Sequence, residues 1–143
     1  MAPLPLWVKP KFPEALYDWN IRLKRGHLTC KVLIVSSLAA RDRLADFLSM
    51  SRVARQYKAS CWLPRGDPKF FAVIVYTIRR VERYYIAHEA THAALGYCVR
   101  RFGRFDLASD YHEETAAEMA GAIVNETLRA CEKNGIEVQV NNR

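Results

Sequence analysis

The sequence predicts a single α+β domain in which a small sheet packs on helices. Its 143 residues, half of them apolar and 26% charged, suit one globular domain that is large enough to bury a core. Two β-branched runs, at 30–36 and 70–78, are typical of strands, whereas apolar residues recur with helical spacing between residues 81 and 133. No internal repeat and no linker interrupts the chain, so one domain is expected over 1–143.

The first half of the chain is expected to alternate between extended and helical segments. Residues 1–13 contain four prolines and predict an extended arm. Proline is tolerated at the first position of a helix, so residues 13–23 are predicted to form the first helix. A strand is expected at 30–36 and a helix at 43–50. The stretch 59–68, with two prolines and a glycine, predicts a loop.

The second half is expected to contain the strongest strand and the two principal helices. The strand covers 70–78, and a helix follows from about residue 81 to 99. Residues 100–110 connect it to a second helix over 111–133. The apolar face of this second helix is predicted to consist of Ala116, Ala120, Ile123, Val124, Leu128 and Cys131.

Sequence signals mark both ends of the second helix. Asp110 followed by Glu113 has the spacing of a capping box, which predicts the start of the helix there. Asn134 and Gly135 are expected to end it. Residues 136–140 alternate between apolar and polar side chains and predict a last, edge strand.

The chemically most informative segment reads His88-Glu-Ala-Thr-His92. Two imidazoles four residues apart lie on one face of a helix, close enough to hold a single metal ion. Glu89 then lies beside that ion, where it can act as a general base toward a water molecule. An ordinary buried pair of histidines is the alternative interpretation.

Catalytic zinc takes a third protein ligand, and the second helix offers candidates. Glu113 is explained as the cap partner of Asp110, which leaves Glu114 as the preferred third ligand and His112 as its rival. Glu118 lies one turn after Glu114, where it can accept a hydrogen bond from a metal-bound histidine. Gly121 continues the same stripe and suggests a close approach of two helices. Solvated surface charge is the plainer interpretation of both glutamates.

These two elements resemble those of the glutamate-zincin metallopeptidases. In that group, His-Glu-x-x-His on one helix is completed on the next helix by Glu-x-x-(Ala/Ser)-(Asp/Glu/Asn), here Glu114 to Glu118. The resemblance covers about residues 70–133. It implies a minimal zincin-like domain, of the kind met in small bacterial and phage proteins, with the metal cleft between the two helices. It further implies a Zn²⁺ ion held by His88, His92 and Glu114, with Glu89 as the general base and Glu118 supporting a histidine.

Such a site would hydrolyse a peptide or amide bond through a zinc-bound water molecule. An oxyanion donor is also needed, and the candidates are Tyr111 and His112, with Tyr84 and Tyr85 as further tyrosines nearby. The strand at 70–78 is a candidate for binding an extended peptide along its edge, although a core strand is the simpler interpretation.

The net charge of +7 points to a second class of function. Basic residues are densest at 22–25, 79–80 and 100–104, and such an excess can attract acidic proteins or nucleic acid. No nucleic-acid motif accompanies these runs, so nucleic-acid binding and DNA-linked proteolysis are the less favoured interpretations. The main alternative to a peptidase is a small basic binding protein that uses a zincin scaffold to dock on a host or cellular partner.

A cytoplasmic location is expected. The first residues lack the charged and apolar regions of a secretory signal, and no apolar stretch approaches the length of a membrane span. The four cysteines are widely spaced and contain no Cys-x-x-Cys, which argues against a zinc ribbon and a disulfide framework. Cys98 and Cys131 are expected to be packed thiols on apolar helix faces.

Overall fold

The computed structural model describes residues 14–22, 28–48, 59–64 and 69–140. The proline-rich arm predicted over 1–13 lies outside these residues. Four strands and three helices are the described elements, together with one turn of 3-10 helix before the second helix. In chain order they are β1 (Ala15–Arg22), β2 (Thr29–Val35), α1 (Leu38–Phe47), β3 (Ala59–Trp62), β4 (Phe70–Thr77), α2 (Arg83–Phe102) and α3 (Asp110–Lys133).

The four strands form one mixed sheet in the order β1-β2-β4-β3. The central strands β2 and β4 are parallel, and the outer strands β1 and β3 each pair antiparallel with their neighbour. Every residue of β2 and β4 is buried. Both strands read as nearly continuous apolar runs because both faces of the sheet are covered. The predicted α+β class and both predicted strands are therefore confirmed.

Alternating side chains of the central strands pack into two separate hydrophobic cores, one on each face of the sheet. Leu33, Val35, Val73 and Val75 point to the face that α1 covers. The other face packs against α2 and α3, and its core includes Val32, Ile34, Ile74, Tyr76, Ile86, Ala90, Met119 and Ile123. The molecule thus has three layers, with the histidine-bearing helix on one side of the sheet.

Two predictions for the first half of the chain are wrong. The helix expected over 13–23 is the edge strand β1, and residues 59–62 of the expected loop form the edge strand β3. In β1 the large apolar residues Tyr17, Trp19 and Ile21 fall on alternate positions, which buries one side of a strand. The segment forms a strand, although Pro13 is compatible with the start of a helix, because a strand places all three of these side chains on one face.

The ends of α3 differ in part from the prediction. The N-cap is Ser109, whose Oγ accepts a hydrogen bond from the backbone N–H of His112 at 3.3 Å, so the capping box assigned to Asp110 and Glu113 is wrong. Asn134 forms the C-cap, and Gly135 adopts a φ of 67°, as the predicted helix end requires.

The predicted last strand is reduced to one β-bridge. Gln139 pairs with Glu82, where its N–H donates to the carbonyl oxygen of Val81 at 2.8 Å and its own carbonyl accepts from Arg83 at 3.0 Å. The C-terminal segment therefore ties down the start of α2 instead of extending the sheet.

The remaining sequence expectations concern cysteines and membrane segments. All four cysteines are free thiols, and Cys98 and Cys131 are buried as predicted. Across the described ranges, no helix has both the length and the apolar character needed to cross a membrane.

Candidate metal centre

His88 and His92 lie one turn apart on α2 and approach each other closely. Their Nε2 atoms are 3.1 Å apart, and the ring centroids are 4.8 Å apart. Tetrahedral zinc with Zn–N bonds of about 2.0–2.1 Å holds its ligand nitrogens roughly 3.3 Å apart. The two imidazoles therefore already have the separation that two ligands of one zinc ion require.

The environment of His92 favours the neutral form of histidine, which is the form that binds metals. Burial lowers the pKa of His92, and the positive charge of a protonated His88 lowers it further. A neutral imidazole has a free lone pair for a metal ion, whereas an imidazolium has none. Both side chains remain open to solvent, so an ion can reach them.

Glu89 has a very different environment from the histidines on either side of it. It is only 5% exposed, because its position on α2 turns the side chain toward the sheet. Burial raises the pKa of the carboxyl group from 4.5 to about 7. A carboxyl group with such a pKa exchanges protons readily near neutral pH, as a general base must.

Two groups that the sequence did not single out, the buried Tyr76 and the half-buried Cys61, are electrostatic neighbours of Glu89. The pKa values of Cys61 on β3 and Tyr76 on β4 are raised well above their usual values, mainly by burial and in part by the charge of Glu89. The Tyr76 hydroxyl is buried without a hydrogen-bond partner among the described residues. The sequence carried one signal for the position of Tyr76. Because side chains alternate along a strand, Tyr76 is expected on the same face of β4 as Ile74, which is the face that α2 covers.

The structure does not bring a third ligand from the described residues next to His88 and His92. Within the described part of the chain, no group of three or more His, Cys, Asp or Glu side chains is placed to hold a metal ion. The sulfur of Cys98 lies 3.7 Å from the carbonyl oxygen of His112, so α3 begins beside the C-terminal part of α2 and runs back along it. His92 precedes Cys98 by six residues, about 9 Å along the axis.

This relative position separates the two candidate glutamates. Glu114 comes only two residues after His112, about 3 Å along α3, so it stops roughly 6 Å short of the level of His92. Glu118 comes six residues after His112, about 9 Å along α3, which equals the axial distance from Cys98 back to His92. Both side chains are exposed. Of the two, Glu118 is therefore better placed to reach the histidines.

Tyr111 and His112 lie at the far end of α2. The ring of His112 stacks on Phe102 with centroids 4.1 Å apart, and its Nδ1 accepts a hydrogen bond from the backbone N–H of Asp106 at 2.9 Å. Tyr111 also packs against Phe102. Phe102 is ten residues beyond His92, about 15 Å along the helix. The structure therefore uses His112 to close the α2–α3 connection and does not bring it or Tyr111 to the histidine pair.

Tyr84 and Tyr85 are the tyrosines that do lie beside the pair. Their ring centroids are 5.8 Å and 6.5 Å from that of His88. They also pack edge to face against each other at 5.1 Å. Two tyrosine rings thus line this end of α2 beside His88.

Two further expectations concern contacts of β4 and α3. The strand at 70–78 does not offer an edge to a peptide, because β4 pairs with β2 on one side and β3 on the other, and the simpler interpretation of a core strand is confirmed. Gly121 was expected to mark a close helix approach, yet a Cβ there would meet no atom within 4 Å. The close approach on this side of the sheet is at Gly96, which lies against Leu63.

The basic run at 100–104 is partly used to hold the fold together. Arg100 donates to the carbonyl oxygen of Phe70 at 2.7 Å, which ties the end of α2 to the start of β4. Arg101 donates to the hydroxyl of Tyr111 at 3.1 Å and lies over the ring of Phe102. These contacts account for two of its three arginines as structural residues.

Comparison with known proteins adds no relative: no protein-family model, curated protein or solved structure matches this chain.

Proposed function

We propose that this protein is a zinc-dependent peptidase whose centre is the His88–Glu89–His92 segment of α2. The observation that carries the proposal is the combination of two features on one helix turn. The imidazole nitrogens are spaced for a single tetrahedral ion. Glu89, which follows His88 in sequence, is buried and its carboxyl group has a pKa of about 7.

The side chains of this segment divide the work of hydrolysis between them. A zinc ion bound there would lower the pKa of water to ~7 and polarise the scissile carbonyl group. His88 and His92 would hold the ion. Glu89 would take a proton from the attacking water molecule and deliver it to the leaving amine as the C–N bond breaks. Tyr84 or Tyr85 is the proposed donor to the developing oxyanion, since both rings lie beside His88.

The third ligand is proposed to be a carboxylate of α3. The resemblance to glutamate zincins assigns it to Glu114 and gives Glu118 a supporting role. The axial distances favour Glu118, because its distance from His112 equals that of His92 from Cys98, whereas Glu114 falls about 6 Å short. In either assignment one helix supplies the imidazoles and the next supplies the carboxylate.

The proposal is tested with Glu89→Gln, which removes the base and keeps the size of the side chain. We expect the variant to fold and bind zinc but to lose nearly all cleavage of a peptide library, because an amide cannot accept the proton from water. Glu132→Gln makes the same chemical change at an exposed position near the end of α3 and is expected to cleave like the unchanged protein.

Either of two results contradicts a peptidase. One is the absence of cleavage by the unchanged protein with zinc confirmed in the sample, and the other is equal cleavage by Glu89→Gln. Both results would favour the alternative, a binding protein that docks on a partner. That alternative has one structural observation behind it, the uncharged, exposed side of α2 that surrounds the histidines.

A further inference from the structure

The solvent-facing side of α2 differs from an ordinary helix surface. All residues between Arg83 and Arg100 are described, and the exposed ones include no Asp, Glu, Lys or Arg. They are Tyr84, Ala87, His88, Thr91, His92, Leu95 and Val99, which we name the α2 face. The exposed side of α3, by contrast, carries Asp110, Glu113, Glu114, Glu118, Arg129, Glu132 and Lys133. Depletion of charge is characteristic of the centre of a protein interface.

The spacing within the α2 face is that of a helix that pairs with another helix. His88, His92, Leu95 and Val99 follow one another at intervals of four, three and four residues. This is the alternation of a heptad seam, which stays on one side of a helix along its length. Leu95 and Val99 are 37% and 48% exposed, so their apolar surface is available for such a contact.

The histidines indicate what covers the face. Each chain offers one pair of imidazoles at ligand spacing, and the described residues place no third ligand with them. A closed zinc site takes four ligands in a tetrahedron. A two-fold axis through an interface brings the same patch from both copies together, so it supplies two identical pairs.

We propose that the α2 face binds the α2 face of a second copy of this chain, and that one zinc ion bridges the two copies through His88 and His92 of each. The apolar residues Leu95 and Val99 then pack between the two helices. An α2 of 20 residues is about 30 Å long, and its few exposed apolar side chains cannot match the roughly 800 Å² per partner of a typical stable interface. The apolar contact alone is therefore too small to hold two copies together. The bonds from the zinc ion to the four imidazoles supply the remaining binding free energy, so the dimer forms only when the metal is bound.

This dimer goes beyond the proposed peptidase and does not depend on it. It needs only the two imidazoles and the apolar face, neither of which requires catalysis. Four imidazoles complete the coordination of zinc and leave no position for water or substrate. The bridged dimer is therefore an inactive form, and a peptidase would act as the monomer.

The test is sedimentation velocity of the full chain, with chelator and with added zinc. We expect a monomer in chelator, a two-fold increase in mass with zinc, and a stoichiometry of one zinc ion per two chains. His88→Ala and His92→Ala are expected to remain monomeric with zinc, and both positions are exposed, so the fold should persist. Circular dichroism confirms that each variant is folded.

A charge placed on the α2 face tests the apolar contact independently of zinc binding. Leu95→Glu should prevent the zinc-dependent dimer, because it buries a carboxylate between two apolar helices. The matched control, Ala117→Glu, adds the same charge to the exposed side of α3 and should dimerise with zinc like the unchanged protein. A zinc-loaded chain that stays monomeric at every protein concentration tested would overturn the proposal. So would a dimer that persists in chelator and in His88→Ala, or one that Leu95→Glu leaves unchanged. None of these measurements reads peptide cleavage, so failure of the dimer and failure of the peptidase are distinguishable.

Discussion

Leu63, just after β3, lies directly over Gly96 in the middle of α2. A Cβ added at Gly96 would stand 2.5 Å from Cδ2 of Leu63 and 2.8 Å from its Cδ1. No side chain other than hydrogen fits between the two elements while Leu63 keeps this position. The contact holds the end of edge strand β3 against the helix that carries His88 and His92.

Gly96→Ala is expected to change the free energy of unfolding by less than helix propensity alone would suggest. Alanine stabilises a helix interior by about 1 kcal/mol relative to glycine, but the new methyl group must displace Leu63. Leu63 is 47% exposed and can turn away, so the displacement offsets the gain only in part. In a Leu63→Ala background the same substitution should deliver the full ~1 kcal/mol. Urea denaturation of the four proteins measures both values, and equal gains in the two backgrounds would contradict this contact.

Glu89→Gln is expected to stabilise the metal-free protein at high pH and not at low pH. Folding raises the pKa of Glu89 from 4.5 to about 7, so the fold favours the neutral carboxyl group. The stability that this group contributes is complete below pH 4.5 and is lost as the pH rises through about 7. Glutamine stays neutral throughout, so above about pH 7 the variant should be more stable by on the order of 3 kcal/mol.

Urea denaturation in chelator across this pH range makes the measurement. Glu132→Gln removes one carboxyl group from an exposed position and serves as the control. A difference between Glu89→Gln and the unchanged protein that does not grow with pH would show that Glu89 is not buried as an acid with a raised pKa.

Glu118→Ala is expected to weaken zinc binding by about 10–100-fold. The reason is the axial distance of Glu118 from His112, about 9 Å, which equals that of His92 from Cys98, the residue in contact with His112. Glu114→Ala should have a smaller effect, and Glu113→Ala, in the first turn of the same helix, is the control. Zinc competition titrations are made at protein concentrations at which the chain is monomeric. A larger loss in Glu114→Ala would restore the ligand assignment drawn from the glutamate-zincin motif.

Ser109→Ala is expected to cost about 1 kcal/mol of stability, whereas Asp110→Ala costs only about 0.3 kcal/mol. The Ser109 hydroxyl oxygen accepts from the backbone N–H of His112, and alanine leaves that donor without its cap. Asp110 contributes only a favourable charge in the first turn. Thermal or urea unfolding of the two variants measures the difference. Equal losses in the free energy of unfolding would contradict the assignment of Ser109 as the N-cap.

Local sequence was sufficient to predict the features that depend on neighbours within one helix or strand. His88 and His92 are adjacent because an α-helix places residues four apart on one face, whatever surrounds it. The runs that became β2 and β4 were recognisable within the local sequence because strands buried on both faces are apolar at nearly every position. Asn134 and Gly135 ended α3 through backbone preferences of their own.

Features that depend on packing between distant segments emerged only from the folded chain. β1 became a strand because β2 offered it an edge on which to bury one side. Glu89 acquired a pKa of about 7 because the sheet covers its side of α2 and leaves the histidine side open. The contact between the C-terminal part of α2 and the start of α3 was set by the α2–α3 connection, in which His112 stacks on Phe102 and lies beside Cys98. The pair of imidazoles is thus a property of one helix turn, whereas the burial of the base and the reach of the carboxylates are properties of the way three layers pack.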